Sequence, residues 1–290
     1  MTPSRVLASC VRVFAFLVLG TVPAISAQDA PAASGARILL LPRKLVSGER
    51  STLSVLDVNG RLTPGVTIEF SNGDKVKTDA TGRALFVAPL TVGKISATIS
   101  GRAGRVVSTI VSPTEAPSAT QEVTQAPRVA SLSDRFDIIG HGFCGDADAN
   151  KVDIAGLPGL VLASSPAYLA VLPPTDMDPG PARVKVSCGQ KTSSAFNVVF
   201  VALELDASGS ALAPAEHRTL TVKVRGSTTK INLEARNLAP EVAELQGGTT
   251  VRVLSSGGAD NLARFELIGR QRGNFVISIR LVSPVAQPAP

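Results

Sequence analysis

Tryptophan is absent from the 290-residue chain, tyrosine occurs once (Tyr168), histidine twice and cysteine three times. Each scarcity excludes something. Sugar-binding faces commonly rest on exposed aromatic platforms, and the ten Phe residues fall mostly at strand positions that a core would claim. Zinc needs three or four clustered Cys, His or acidic ligands, which His141 and His217 cannot supply. No Gly-x-Ser-x-Gly elbow offers a nucleophile to either histidine. Neither Gly-x-x-x-x-Gly-Lys-Ser/Thr nor Gly-x-Gly-x-x-Gly is present to cradle a phosphate. Asp176 and Asp178 sit in a turn between Pro174 and Pro179 and read as turn formers. No catalytic residue, cofactor-binding residue, metal ligand or cofactor is expected, and the chain reads as non-enzymatic. Long apolar runs are also missing. The run Val13 to Gly20 falls well short of the ~20 residues of a membrane helix, so no span is expected in the mature chain.

That short run, behind Arg5 and Arg12 and followed by Pro23 and Ala24-Ile25-Ser26-Ala27, reads as a signal peptide over 1–27. Leu7-Ala8-Ser9-Cys10 precedes the apolar run rather than following it, so Cys10 is expected to leave with the signal. The protein is therefore expected outside the cytoplasm: in the periplasm, on the cell surface or in the medium. Cys144 and Cys188 remain, and an even count in an exported chain reads as one disulfide. The formal charge is +6, unevenly spread: 36–112 holds 11 basic and 5 acidic residues, 127–201 holds 6 and 7, and 202–284 holds 10 and 8. An apolar share of 44% excludes disorder, and abundant Val, Thr, Ile, Gly and Pro point to short strands and frequent turns.

Residues 28–35 read as a flexible leader. Over 36–112, short stretches of alternating polar and apolar residues recur with no helical period. Ser51 to Val58, Gly65 to Phe70 and Lys94 to Ser100 show this pattern, and Asn59-Gly60 and Asn72-Gly73 mark turns. One face of each such strand is expected to be buried. Leu56-Asp57-Val58-Asn59-Gly60, Pro64-Gly65-Val66-Thr67-Ile68-Glu69-Phe70 and Thr78-Asp79-Ala80-Thr81-Gly82-Arg83-Ala84 resemble bacterial immunoglobulin-like domains of the invasin and intimin type. That resemblance implies a non-catalytic surface module. Residues 113–126, polar and Pro-bearing, read as a linker.

Residues 127–201 carry the most specific pattern. Phe136-x-Ile138-x-Gly140-x-Gly142-Phe143, Val152-x-Ile154, Leu172-Pro173, Gly180-x-Ala182-x-Val184-x-Val186 and Phe196-x-Val198 resemble an IPT/TIG immunoglobulin-like domain. In such a sandwich the corner at Cys144 and the turn at Cys188 would lie at one end, placing the disulfide across a pole. IPT/TIG modules in transcription factors can touch DNA, but the export signal and local charge of −1 argue against nucleic acid. Residues 202–284 alternate over several stretches and read as a third sandwich, and 285–290 as a loose tail.

The expected fold class is all-β, with tandem immunoglobulin-like β-sandwiches. The expected function is adhesion, scaffolding or an envelope or surface interaction with a protein or cell-envelope component. The alternative is a polysaccharide- or small-ligand-binding module. The candidate binding loop holds His141, Asp146, Asp148 and Asn150. Asp146-Ala147-Asp148-Ala149-Asn150 has the spacing that opens a calcium loop, but Lys151 stands where Gly is needed and Leu157 where Glu is needed, so a polar loop is expected instead.

Overall fold

The structure is a computed structural model that describes residues 37–113, 120–206, 212–282 and 287–288. The expected signal peptide and leader, and Cys10, lie outside the described residues. No α-helix occurs among the described residues, and no helix is long and apolar enough to cross a membrane.

The first sandwich contains β1 (Ile38–Leu40), β2 (Lys44–Val46), β3 (Arg50–Leu56), β4 (Thr67–Phe70), β5 (Lys75–Lys77), β6 (Arg83–Val87), β7 (Gly93–Ile99) and β8 (Val106–Val111). One sheet runs β1-β3-β6 and the other β2-β8-β7-β4-β5. Leu45, Leu53, Val55, Ile68, Phe70 and Phe86 fill the space between them. Alternation along β4 and β7 sends every second residue into this core, as the period of a strand requires.

The second sandwich contains β9 (Glu122–Ala126), β10 (Val129–Ser131), β11 (Phe136–His141), β12 (Asn150–Ile154), β13 (Leu157–Ser165), β14 (Tyr168–Leu172), β15 (Gly180–Cys188), β16 (Lys191–Thr192) and β17 (Phe196–Leu205). Its core gathers Phe136, Ile138, Val152, Ile154, Val184, Val186, Phe196, Val198 and Phe200. Strand β9 lies within the stretch expected to be linker and pairs with β11, so the polar segment between the sandwiches is shorter than its composition suggests. Nothing in the sequence marks β13, because Gly156, Pro158 and Gly159 read as turn residues. It pairs with β12 through Leu157–Gly159 and with β14 through 160–165.

The third sandwich contains β18 (His217–Arg225), β19 (Asn232–Asn237), β20 (Ala243–Leu245), β21 (Thr250–Leu254), β22 (Leu262–Gly269) and β23 (Ile277–Leu281). Its sheets run β17-β18-β22-β20 and β21-β19-β23. A last short strand, β24 (Gln287–Pro288), pairs with β9, in a stretch expected to be a loose tail.

The sandwiches are joined by backbone pairing. Strand β17 is shared: Phe196–Phe200 pairs with β15, and Ala202–Leu205 pairs with β18. The second and third sandwiches thus meet inside one ten-residue strand. The first and second meet where Thr52 of β3 pairs with Ser164 of β13, running one sheet into the next.

Candidate functional site

The loop between β11 and β12, which holds the candidate binding residues, is built on glycine and asparagine. A Cβ on Gly140 would lie 2.0 Å from the Glu122 carbonyl oxygen of the paired strand, so β11 meets β9 at that point only with Gly. A Cβ on Gly145 would lie 1.8 Å from the Arg50 carbonyl oxygen of the first sandwich. Asn150 is buried and holds the loop's shape. Its Oδ1 accepts from the Cys144 N–H at 2.9 Å, and its Nδ2 donates to the Cys144 and Asp146 carbonyls, both at 2.8 Å. Asp146 accepts from the Asp148 N–H at 3.1 Å and caps a single 3-10 turn over Ala147–Ala149. The expected disulfide joins Cys144 to Cys188 at the end of β15, with Cα atoms 5.8 Å apart.

This loop is the socket into which the first sandwich docks. The Thr52 hydroxyl donates to the Gly145 carbonyl at 2.8 Å and accepts from the Ala147 N–H at 3.1 Å. Ser164 reaches the same carbonyl at 2.7 Å. The buried Arg83 of β6 donates from Nη1 to Asp148 at 2.9 Å and from Nη2 to the Val161 carbonyl at 2.7 Å. Ser165 donates to the Lys44 carbonyl at 2.6 Å. On the far side, Tyr168 donates its hydroxyl to Asp137 at 2.6 Å, and Arg43 of the first sandwich meets that carboxylate at 3.1 Å. Burial, with the Asp137 charge beside it, pushes the Tyr168 phenol far above its ordinary range, so it stays a donor. Leu40 and Leu56 pack on Leu162, Ala163, Tyr168 and Ala170, and Val46 and Val111 on Ala167.

The candidate residues therefore divide. Asn150 is spent on the loop's backbone, and Asp148 on Arg83. Asp146 is exposed, with one carboxylate oxygen capping the turn. His141 is half-buried on β11 opposite Glu122, and its Nδ1 is enclosed without a partner. Among the described residues, no three His, Cys, Asp or Glu side chains gather to hold a metal. Beside the disulfide a cleft of about 670 Å³ opens between the sandwiches, with Arg50 and Val87 on one wall and Phe143, Asp146 and Lys191 on the other.

Thr52, Arg83, Ser164 and Tyr168 are the residues that sequence patterning misses. The alternation along β3 predicts one wet face, yet Ser51 through Leu56 are all buried. The signal present in the sequence is compositional: the face of β3 that continues from Arg50 carries the Thr52 and Ser54 hydroxyls with no charge, whereas the solvent face of β15 carries Arg183 and Lys185.

Each of the first two sandwiches has antiparallel sheets closed by a parallel pair between an early strand and the last one, β2 with β8 and β10 with β17. The fold is immunoglobulin-like. No family model matches the chain, and no curated protein matches it. Solved structures do. The Bacteroides ovatus mixed-linkage glucan utilization locus protein SGBP-B, solved with a mixed-linkage heptasaccharide, is 10% identical over 82% of this chain and 74% of its own, with a TM-score of 0.31. Domains 4 and 5 of the S-layer protein SbsC are 13% identical over 88% of this chain and 96% of their own, at a TM-score of 0.21. The tandem Ig repeats of Dlar are 12% identical over 58% of this chain and all of theirs, at 0.22.

Proposed function

We propose that this chain is an exported, non-catalytic immunoglobulin-like protein that acts as an adhesion or scaffold component of the cell envelope or surface. The observation that carries the reading is the way the sandwiches are joined. A shared strand and a docked loop fix their relative placement, which suits a part that holds partners at a set spacing. The export signal over 1–27 and the disulfide chemistry of Cys144 and Cys188 support a location outside the cytoplasm. His141 and His217 lie in different sandwiches, which supports a non-enzymatic role.

The second sandwich is assigned to the IPT/TIG type and the first to the invasin and intimin type. In support, Phe136, Ile138, Val152, Ile154, Val184, Val186, Phe196 and Val198 of the motif all enter one core. Asp79 caps its turn by accepting from the Thr81 N–H and hydroxyl, the role the Thr-Asp…Gly pattern requires. The loop's own backbone engages Asn150 and the junction one oxygen of Asp148, while Asp146 and most of Asp148 stay exposed, so the partner is met on the open side of this loop or on exposed sheet faces or edges.

Fractionation of the native cells tests the reading. The expected result is a chain lacking 1–27 in the periplasm, on the surface or in the medium, cross-linking to an envelope component. A full-length chain confined to the cytoplasm contradicts it.

A further inference from the structure

The outer face of the sheet β21-β19-β23 carries an ordered cationic array. Leu233 and Ala235 of β19 are fully buried, so Asn232, Glu234 and Arg236 point the other way. Strand register sets these in rows across the sheet: Thr250, Arg236, Ser278 in one, and Arg252, Glu234, Arg280 in the next. Glu234 lies on the outward face, yet its side chain is only 4% exposed, because the two arginines close over it. Arg252 Nε donates to Glu234 Oε2 at 2.8 Å, and Arg280 Nε to Oε1 at 2.9 Å. These bonds hold the Glu234 carboxyl below the usual carboxylate range despite the opposing effect of burial. Arg236 forms no ion pair or side-chain hydrogen bond among the described residues. Two rows thus hold three guanidinium groups against one carboxylate.

The Glu234 pairs stabilise the sheet and account for Arg252 and Arg280, but not for Arg236. A third arginine near two others on a sheet face adds repulsion. A bound anion would relieve it. The guanidinium fork matches a carboxylate in two parallel bonds, and Arg252 and Arg280 are already oriented by Glu234, so less freedom is lost on binding. Thr250 and Ser278 add hydroxyls on either side of Arg236. The face is a flat sheet surface with rows roughly 7 Å apart, which suits an extended polymer with repeated carboxylates. The exposed side chains of these two rows are Arg, Thr and Ser, and the row beyond them holds Asn232 and the exposed Leu254, so none of these residues is an aromatic platform for a neutral sugar.

We propose that the outer face of β21-β19-β23 binds an acidic polysaccharide, a polyuronate, through Arg236, Arg252 and Arg280. The assignment rests on the exported location proposed above, where such polymers are met. The test uses the purified chain, so failed binding leaves the location reading standing, and a cytoplasmic location leaves the binding result standing.

The experiment titrates the purified chain with polygalacturonate, neutral dextran, double-stranded DNA and phosphatidylglycerol vesicles at fixed salt. Wild type is expected to bind polygalacturonate and not dextran. Arg236→Gln, at an exposed residue with no side-chain partner among the described residues, is expected to weaken polygalacturonate binding about tenfold with an unchanged melting temperature. Glu234→Gln separates oriented recognition from bulk charge. It makes the face more positive, so simple attraction predicts tighter binding, whereas loss of the anchored guanidinium groups predicts weaker binding, which is the result expected here. Equal binding by wild type and Arg236→Gln overturns the proposal. So does tighter Arg236-dependent binding to DNA or to the vesicles than to polygalacturonate.

Discussion

At the scale of single residues, Gly145 and Thr52 decide how closely the first sandwich approaches the second. A methyl group at Gly145 has no room against the Arg50 carbonyl, and backbone on both sides prevents relief by a rotamer change. Gly145→Ala is expected to lose about 3 kcal/mol of stability, measured by denaturant unfolding. Thr52→Val keeps the shape and removes a hydroxyl that serves Gly145 and Ala147 together, and about 2 kcal/mol of loss is expected. Thr52 is not legible in the sequence as a docking residue. A Ser or Thr on the polar side of a strand patterns like a solvent-facing residue, and only the lack of charge distinguishes a hydroxyl face that another domain covers. Asn150 shows the converse. It looks like a ligand residue in an acidic loop, but an amide can donate and accept at once, and here it closes the loop on its own backbone. Glu234 and Asp79 contribute to the acid response, as do Glu69 and Glu216, whose carboxyls are also held below the usual range. Glu234 and Asp79 titrate below their ordinary values of 4.5 and 3.8, Glu234 through its two arginines and Asp79 through Thr81. A carboxyl with a depressed folded-state pKa stabilises above its unfolded value, and that contribution fades as pH falls through the folded one. Stability is therefore expected to hold down to about pH 4.5 and to fall below it, in acid-unfolding measurements.

At the scale of elements, the strands that alternate cleanly, such as β12 and β15, are readable from the sequence because one face meets core and the other meets water. Strand β13 is not. Its first half opens on Pro158 and Gly159, and its second half is buried on both faces between β14 and the first sandwich, which erases the period. Strand β17 serves two sandwiches without a break, so no turn residue announces the boundary within it. The disulfide acts at this scale. It ties the docking loop to the end of β15, closing 44 positions of chain. Replacing both Cys144 and Cys188 with Ala is expected to lower stability by about 4 kcal/mol in the chain-entropy account. The loop over 144–149 is then expected to be the first site of proteolytic cleavage, identified by mass spectrometry of early fragments. Equal melting of the oxidised and reduced chain would contradict this.

At the scale of the whole molecule, composition and periodicity identify the class, all-β with immunoglobulin-like sandwiches, because recurring short strands with turn residues between them have few other ways to bury an apolar face. How the sandwiches are joined is a tertiary property. It depends on Arg83 reaching Asp148 and the Val161 carbonyl across 65 and 78 positions of chain, and on leucines such as Leu40 and Leu162 that local patterning cannot assign to one core or another. The first and third sandwiches hold a fixed relation through the second. Electron–electron resonance between spin labels on Lys77→Cys in the first sandwich and Ala259→Cys in the third tests it most directly, in the chain with its disulfide intact. One narrow distance distribution is expected, and Gly145→Ala is expected to broaden it. A broad distribution in the chain without Gly145→Ala would contradict it.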